Sequence, residues 1–309
     1  MRFIDPRTDF AFKKIFGSQE HTDVLRSLLN GLLYEGRPEI RQLRLLDPYN
    51  APRLQGMKDS YLDVKVRRAD GTWILVEMQV LKLPGFDKRV LFNAAKQFGN
   101  QLQRGEDYSM VNPVVALTIT DFVMFPEYPD VISRYRLLEK NLLTQYSAGD
   151  IELVFAELPK LTKTHAEATQ LWEKWLCFLK EAGSLEMVPD SLAEVPEIRE
   201  AFEIANYAGL TQEEADVADK KMQWWRDQKK LGALYDKEKA AHEHTRAKLD
   251  QANAEREKVE AERDKTLRNT ALALRESGMD DARVCAVMGV TQQELRGLLR
   301  AGLPREETG

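Results

Sequence analysis

Cysteine and histidine are scarce in this chain. Its 309 residues hold two cysteines, Cys177 and Cys285, and four histidines. The thiols stand far apart in sequence, which excludes a disulfide framework or a zinc site built on paired spacing; two buried thiols in a reducing compartment are expected. His21 and His165 are dispersed, and His242 and His244 fall in a strongly charged stretch, so no histidine cluster with metal-ligand spacing exists. No apolar run approaches the roughly 18 residues that a bilayer crossing needs. The opening segment MRFIDPRTDF lacks the apolar stretch of a signal peptide, and a cytoplasmic protein without a membrane span is expected. Gly85, Gly99 and Gly105 form no phosphate-cradling loop after a strand.

Charge of one sign is also missing. The net charge of −5 excludes a uniformly basic nucleic-acid binder. The average hides a gradient, because residues 1–104 carry about 18 Lys and Arg against about 12 Asp and Glu. Such a basic half can track phosphates through its local field, or it can be ordinary scatter. Hydrophobic residues make up 43%, enough for a real core, while the 31% charged fraction implies one strongly solvated segment. The length suits one sizeable domain with a smaller appendage.

Helical spacing runs through residues 9–33, from Phe12, Ile15 and Phe16 to Leu25, Leu28, Leu29 and Leu32, with Gly17 and Ser18 as an interruption. Residues 40–46 read as a strand closed by Asp47 and Pro48. Residues 61–68 alternate, with Leu62, Val64 and Val66 on one face and Asp63 and Lys65 on the other. Residues 73–81 alternate too, Ile74, Val76, Met78 and Val80 opposing Glu77 and Gln79. Ala69-Asp70-Gly71 between them is a turn signal, glycine accepting positive φ, so the pair reads as an antiparallel hairpin.

Residues 86–104 carry Val90, Phe92, Ala94, Ala95 and Phe98 at helical spacing and end near Gly105. The run PVVALTIT (113–120) is nearly all apolar, as a strand buried on both faces is. Residues 131–138 and 151–158 are extended. From His165 onward the pattern is helical, with Leu171, Trp172, Trp175, Leu176 and Leu179. The alternation of strands and helices makes this an α/β protein.

Residues 213–268 contain no proline and consist mostly of charged residues, Ala and Gln. Leu231, Leu234, Leu249, Ala252 and Val259 recur at threes and fours, but Arg256 and Arg263 stand at seam positions. A long solvated helix is expected, with weak self-pairing as the alternative; Trp224 and Trp225 read as a packing anchor. Residues 269–302 look like three short helices, punctuated by Gly278 and Gly289, the last opened by Thr291 and Glu294 as a capping box. They are helix-turn-helix-like. The expected division is 1–210, 211–268 and 269–309.

A hairpin centred on Asp70 puts Asp63 across from Glu77 on one face. Directly paired Cβ atoms lie about 4.5–5.5 Å apart, where like charges are destabilising. A divalent cation between them resolves the conflict, and hard oxygen ligands suit Mg²⁺ or Mn²⁺. A merely solvated hairpin face is the alternative. Trp73, Val76, Met78 and Val80 place that strand within the core. Gln79 projects with Glu77 and Lys65 with Asp63, so two acids, an amide and a lysine share a patch of sheet. Asp9 is expected to cap its helix, or else to add a carboxylate. Lys13 and Lys14 contact phosphate or form a solvated face.

Asp63 followed by Glu77-Met78-Gln79 resembles the D…(D/E)-x-K core of the PD-(D/E)XK superfamily, with Gln in the lysine place. The text DFAFKKIFG at 9–17, Leu62-Asp63-Val64, Val76-Glu77-Met78-Gln79, Arg89 with Gln97, and Gly105-Glu106-Asp107-Tyr108 resemble the Rpn family of recombination-promoting nucleases, over about residues 3–160. The resemblance implies a restriction-endonuclease-like mixed sheet flanked by helices, followed by the long charged helix and the helical tail. It implies a Mg²⁺-dependent DNA endonuclease linked to recombination or mobile elements, with Asp63 and Glu77 as metal ligands and the Met78 carbonyl completing the shell. Gln79 would orient the attacking water, and Lys65 could supply the cation that Gln79 lacks. Arg89 and Tyr108 read as structural. DNA is the implied partner, and the long helix or tail could join copies of the chain. The rival reading is a DNA- or protein-binding assembly module with a weak or inactive nuclease fold. It would use Gln292, Gln293, Arg296 and Arg300, although Asp280 and Asp281 beside them disfavour tight DNA contact.

Overall fold

Strand order, not strand number, is what sets the position of the acids. A computed structural model describes residues 2–50, 60–146 and 150–300. They fall into two compact units, residues 1–232 and 233–309.

In the first unit the opening helical run is two helices, α1 (Asp9–Phe16) and α2 (Thr22–Tyr34). Gly17 closes α1 by donating its N–H to the Lys13 carbonyl, and the Ser18 hydroxyl accepts from Glu20 N–H to start a short 3₁₀ turn. The N-cap of α1 is Thr8, whose Oγ1 accepts from Ala11 N–H. Asp9, expected as the cap, is instead the first helical residue, because Thr8 already sits in the extended conformation a cap requires. The Asp9 side chain is thereby left for another contact.

Eight strands follow: β1 (Leu43–Leu46), β2 (Tyr49–Asn50), β3 (Ser60–Tyr61), β4 (Val64–Arg68), β5 (Trp73–Gln79), β6 (Val114–Thr120), β7 (Ile132–Arg136) and β8 (Ile151–Glu157). Six of them form one mixed sheet in the order β1-β4-β5-β6-β8-β7, and β2 pairs with β3 in a small ribbon. β5, β6 and β8 are parallel; β1, β4 and β7 run antiparallel to their neighbours. The β4–β5 turn closes with Arg68 N–H donating to the Thr72 carbonyl at 2.9 Å. Gly71 there has φ +90°, and a Cβ would fall 2.2 Å from Asn112 Oδ1, so both backbone and space demand glycine.

Every residue of β6 is buried, as its apolar run implied. Val115, Leu117 and Ile119 face one layer of helices and Val114 and Ala116 the other, the period of two expected of a strand. The first layer packs Phe12, Phe16, Leu28, Trp175, Phe178 and Phe202 from α1, α2, α4 (Leu171–Glu181) and α6 (Pro196–Ile204), with the short α5 (Asp190–Ala193) beside them. The second is α3 (Phe86–Gly99), whose Phe86, Val90 and Ala94 cover Leu75 and Phe155. α3 stops earlier than the apolar spacing suggested. The Gln101 side chain turns the chain back by accepting from Asn112 N–H and donating to its carbonyl.

Buried Glu173 fastens the start of α4. Its carboxylate accepts from Thr169 N–H, Gln170 N–H and Lys163 Nζ. Burial pushes its pKa upward, but those N–H groups and the ammonium outweigh burial and hold it at about 2. Glu173→Ala is therefore expected to cost about 2–3 kcal/mol at pH 7. The folded pKa lies below the unfolded one, so this stability is present above about pH 4.5 and is lost as the pH falls toward 2. Urea unfolding of both chains at pH 7 and pH 2.5 checks it: the difference must shrink in acid.

Helix α7 (Gln212–Glu276) begins in the first unit and continues through the second. In the second unit Leu234, Leu249 and Val259 are exposed, as a solvated helix requires. Ala271, Val284 and Leu295 close a small core between the end of α7, α8 (Asp281–Met288) and α9 (Gln292–Arg300). Asp280 caps α8, Gly289 ends it at φ +67°, and Thr291 and Glu294 bond reciprocally at the start of α9. The expected end of the tail, 301–309, lies outside the described residues. No described helix is long and apolar enough to cross a membrane.

Candidate active site

The antiparallel register pairs Val64 with Val76, so one further step sets Asp63 opposite Glu77. The ladder does not continue regularly there. The chain bends at Asp63, and its carboxylate, rather than a backbone carbonyl, accepts the Met78 N–H at 2.7 Å. Leu62 N–H meanwhile bonds to the Pro48 carbonyl, which carries the chain off toward the β2–β3 ribbon. Asp63 is thus pinned to the edge of β5 beside Glu77. Within a strand a residue's N–H and C=O point to the same side, so the Met78 carbonyl also faces Asp63.

Both acids resist ionisation. Burial is the main cause for Asp63, the Glu77 charge adds to it, and the Met78 N–H and Lys13 oppose; its pKa rises to about 7. Burial likewise lifts Glu77, with Arg89 opposing. The Asp9 carboxyl, on α1, is hydrogen-bonded to that of Asp63 and salt-bridged to Lys13 Nζ at 2.6 Å. A bond between two carboxyl groups needs one proton. Burial raises Asp9, but its hydrogen bond and charge pairing with Lys13 outweigh it and hold Asp9 low, whereas Asp63 is pushed up.

Gln79 is held at both ends of its amide. Its Oε1 accepts from Arg89 Nη2 at 2.8 Å, its Nε2 donates to the Leu81 carbonyl, and its own carbonyl accepts from Asp121 N–H. The same Arg89 nitrogen donates to Glu77 Oε1. Lys65 lies elsewhere, 5.2 Å from the centroid of the Trp73 ring, with Asp47 and Lys96 as its charged surroundings. Two residues of strand separate it from Asp63, about 7 Å of rise, and its stem runs the other way along the sheet. It forms no ion pair with Asp63 or Glu77. Among the described residues Lys13 is the cation paired with Asp63, at 3.8 Å, while Lys14 pairs with Glu214. Tyr108 is exposed, apart from these residues.

The first turns of α7 border the site. Lys221 lies 3.9 Å from Asp9, Lys229 pairs with Asp121 at 2.7 Å, and the Trp225 ring packs against both Lys229 and Arg7. Arg7 bridges Asp5 and Asp121. Buried Glu157 fixes the loop beyond Asp121 by accepting from Met124 and Phe125 N–H. Sequence reading took Arg89 as structural and Trp225 as a packing anchor, and it missed Asp121, Lys221 and Lys229. Arg89 had a usable signal: a helix that follows a strand after a short loop begins near that strand's end, so its first turn faces whatever the strand end carries.

Among the described residues no group of three His, Cys, Asp or Glu side chains is placed to hold a metal ion. The donors at hand are two carboxylates and a main-chain carbonyl, hard oxygen ligands that fit a divalent cation. Two adjacent acids held short of ionisation fit it too, since a cation relieves both their burial and their repulsion. Arg89 engages only Oε1 of Glu77.

A mixed six-stranded sheet between helical layers, with an acid at the start of one hairpin strand and another at the end of its partner, defines a restriction-endonuclease-like α/β fold. The chain belongs to the PD-(D/E)XK nuclease family transposases, whose family model matches residues 6–233. No curated protein and no solved structure matches it. Membership gives it a nuclease-type function, and PD-(D/E)XK nucleases generally use divalent metal ions.

Proposed function

We propose that this chain is a metal-dependent DNA endonuclease that hydrolyses phosphodiester bonds in the service of recombination or mobile elements. The observation that carries this reading is the pairing of Asp63 with Glu77 at the open end of the β4–β5 hairpin. Asp63, Glu77 and the Met78 carbonyl would hold Mg²⁺, or Mn²⁺ in its place. The bound cation supplies Lewis acidity and a water of lowered pKa. The chain does the rest. The Met78 N–H keeps one Asp63 oxygen aimed along the strand edge, and Arg89 fixes the Gln79 amide next to Glu77. Gln79 orients the attacking water without adding charge. Lys13 and Lys221 border the acids from α1 and α7, where backbone phosphates of DNA would approach. The free thiols of Cys177 and Cys285 suit a reducing cytoplasm. Self-association through α7 or the tail is weak on this reading, because the exposed leucines of α7 are interrupted by charge.

Supercoiled plasmid incubated with purified protein and Mg²⁺, Mn²⁺ or Ca²⁺ tests the reading. Nicking is expected with Mg²⁺ or Mn²⁺, and Glu77→Ala should lower it by about 10²–10³-fold. Equal nicking by that variant would mark a contaminant and overturn the assignment. One observation favours a second reading, a DNA- or protein-binding module with a weak nuclease fold: the lysine place holds Gln79, whose amide is already engaged. Retention of plasmid without nicking under every metal would select it.

A further inference from the structure

We propose that Arg89 is the site's exchangeable cation: it neutralises Glu77 while no metal is bound and turns to the scissile phosphate once Glu77 takes up a metal, supplying the charge that Gln79 cannot. The inference rests on the nuclease reading and adds a residue and a role to it.

The geometry points there by what is engaged and what is not. A single nitrogen, Nη2, serves both Glu77 and Gln79. The buried Nε has no partner, and a guanidinium carries five N–H donors in a planar fork. Arg89 therefore holds donors in reserve at the very edge of the acid pair. Its side chain is 39% exposed, so the group can swing, and it stacks over the Phe86 ring at 5.0 Å, a surface along which it can slide. Its helix position secures its reach. α3 starts with Gly85 in the left-handed conformation, and the Arg89 N–H donates to the Gly85 carbonyl, so Arg89 lies in the first helical turn just beyond β5.

Three other described cations near the acids have partners of their own. Lys65 lies over Trp73, Lys13 pairs with Asp9, and Lys229 pairs with Asp121. Among the described residues Arg89 is the cation that touches Glu77 and Gln79. A guanidinium and a divalent cation cannot both neutralise one carboxylate at full strength, so the two compete for Glu77. A released guanidinium matches a phosphate's two oxygens, which makes the phosphate its natural next partner.

Competition and substrate contact make opposite predictions for the two readouts. Titration of Mn²⁺ into the DNA-free protein, followed by calorimetry, should show about tenfold tighter binding in Arg89→Ala than in the parent. Plasmid nicking by the same variant should fall about 10²-fold and recover in part with added guanidinium ion or in Arg89→Lys. Weaker or unchanged Mn²⁺ binding in Arg89→Ala, or a nicking loss that neither guanidinium nor Arg89→Lys relieves, overturns the proposal in favour of a structural role. If Arg89→Ala fails to fold, Arg89→Lys carries both measurements, and it should bind Mn²⁺ more tightly than the parent because the lysine nitrogen lies one atom closer to the backbone than Nη2 and reaches Glu77 less well. Should the parent protein nick nothing while Glu77→Ala abolishes its Mn²⁺ binding, the endonuclease reading fails alone, and the calorimetric comparison still decides whether Arg89 competes for Glu77.

Discussion

Asp63→Asn is expected to make the metal-free protein more stable and catalytically inert. Asparagine can keep the Met78 N–H bond, since its amide oxygen accepts as the carboxylate does. It removes a buried acid that faces Glu77. The sign follows from the raised pKa. Unfolded, the group ionises near 3.8; folded, near 7. Its contribution to stability is full below about pH 4 and is lost as the pH rises through 7. Three pKa units correspond to about 4 kcal/mol at most, and the interaction with Asp9 makes about 2–4 kcal/mol the expected range. At pH 8 the melting temperature of Asp63→Asn should exceed the parent's by about 5 °C or more, and at pH 4 the two should coincide. Mg²⁺ should stabilise the parent and leave the variant unchanged. A variant that melts lower than the parent at pH 8 would show that Asp63 serves packing, not a cation. Strain held at a functional site in this way is a common exchange of stability for activity.

Shortening the chain to residues 1–210 is expected to ruin the nuclease unit, whereas ending it at 232 is not. The first turns of α7 are part of that unit. Ala218 is buried in the main core, Asp219 binds both Arg2 and the Tyr207 hydroxyl, and Lys229 and Trp225 hold Asp121 and Arg7. Removing them takes its Lys229 partner from Asp121, whose side chain is buried in the intact chain, and leaves Arg7 at 3.4 Å as its cation. Losing the half-exposed Lys229 pair, the Trp225 contacts and the buried Ala218 together is expected to cost about 3 kcal/mol. Circular dichroism melts of the two shortened chains decide it, and the 1–232 chain should also nick plasmid. A 1–210 chain as stable as the longer one would mean that α7 only rests on the surface.

Periodicity made most of this architecture legible. The all-apolar run at 113–120 could only be a doubly covered strand, the Ala69-Asp70-Gly71 turn set the register that pairs residues 63 and 77, and Thr291 with Glu294 foretold the cap of α9. Local errors have local causes. Asp9 was expected to cap α1, but Thr8 stood one residue closer to the extended chain. α3 was drawn too long because the Gln101–Asn112 exchange that ends it lies between residues distant in sequence. Lys65 shares a face with Asp63 by alternation, yet alternation says nothing about which aromatic ring a long flexible side chain will choose.

Short-range pattern by itself determined the elements, the hairpin register and the nearness of two acids, because each depends on residues a few positions apart and on the fixed pitch of strand or helix. Tertiary structure alone decided which cation serves those acids, where α7 joins the nuclease unit and why burial pushes Asp63 up. Those outcomes come from Arg89, Asp9, Lys13 and Asp121 arriving from separate elements. Charge and burial act through space, and no period along the chain encodes them.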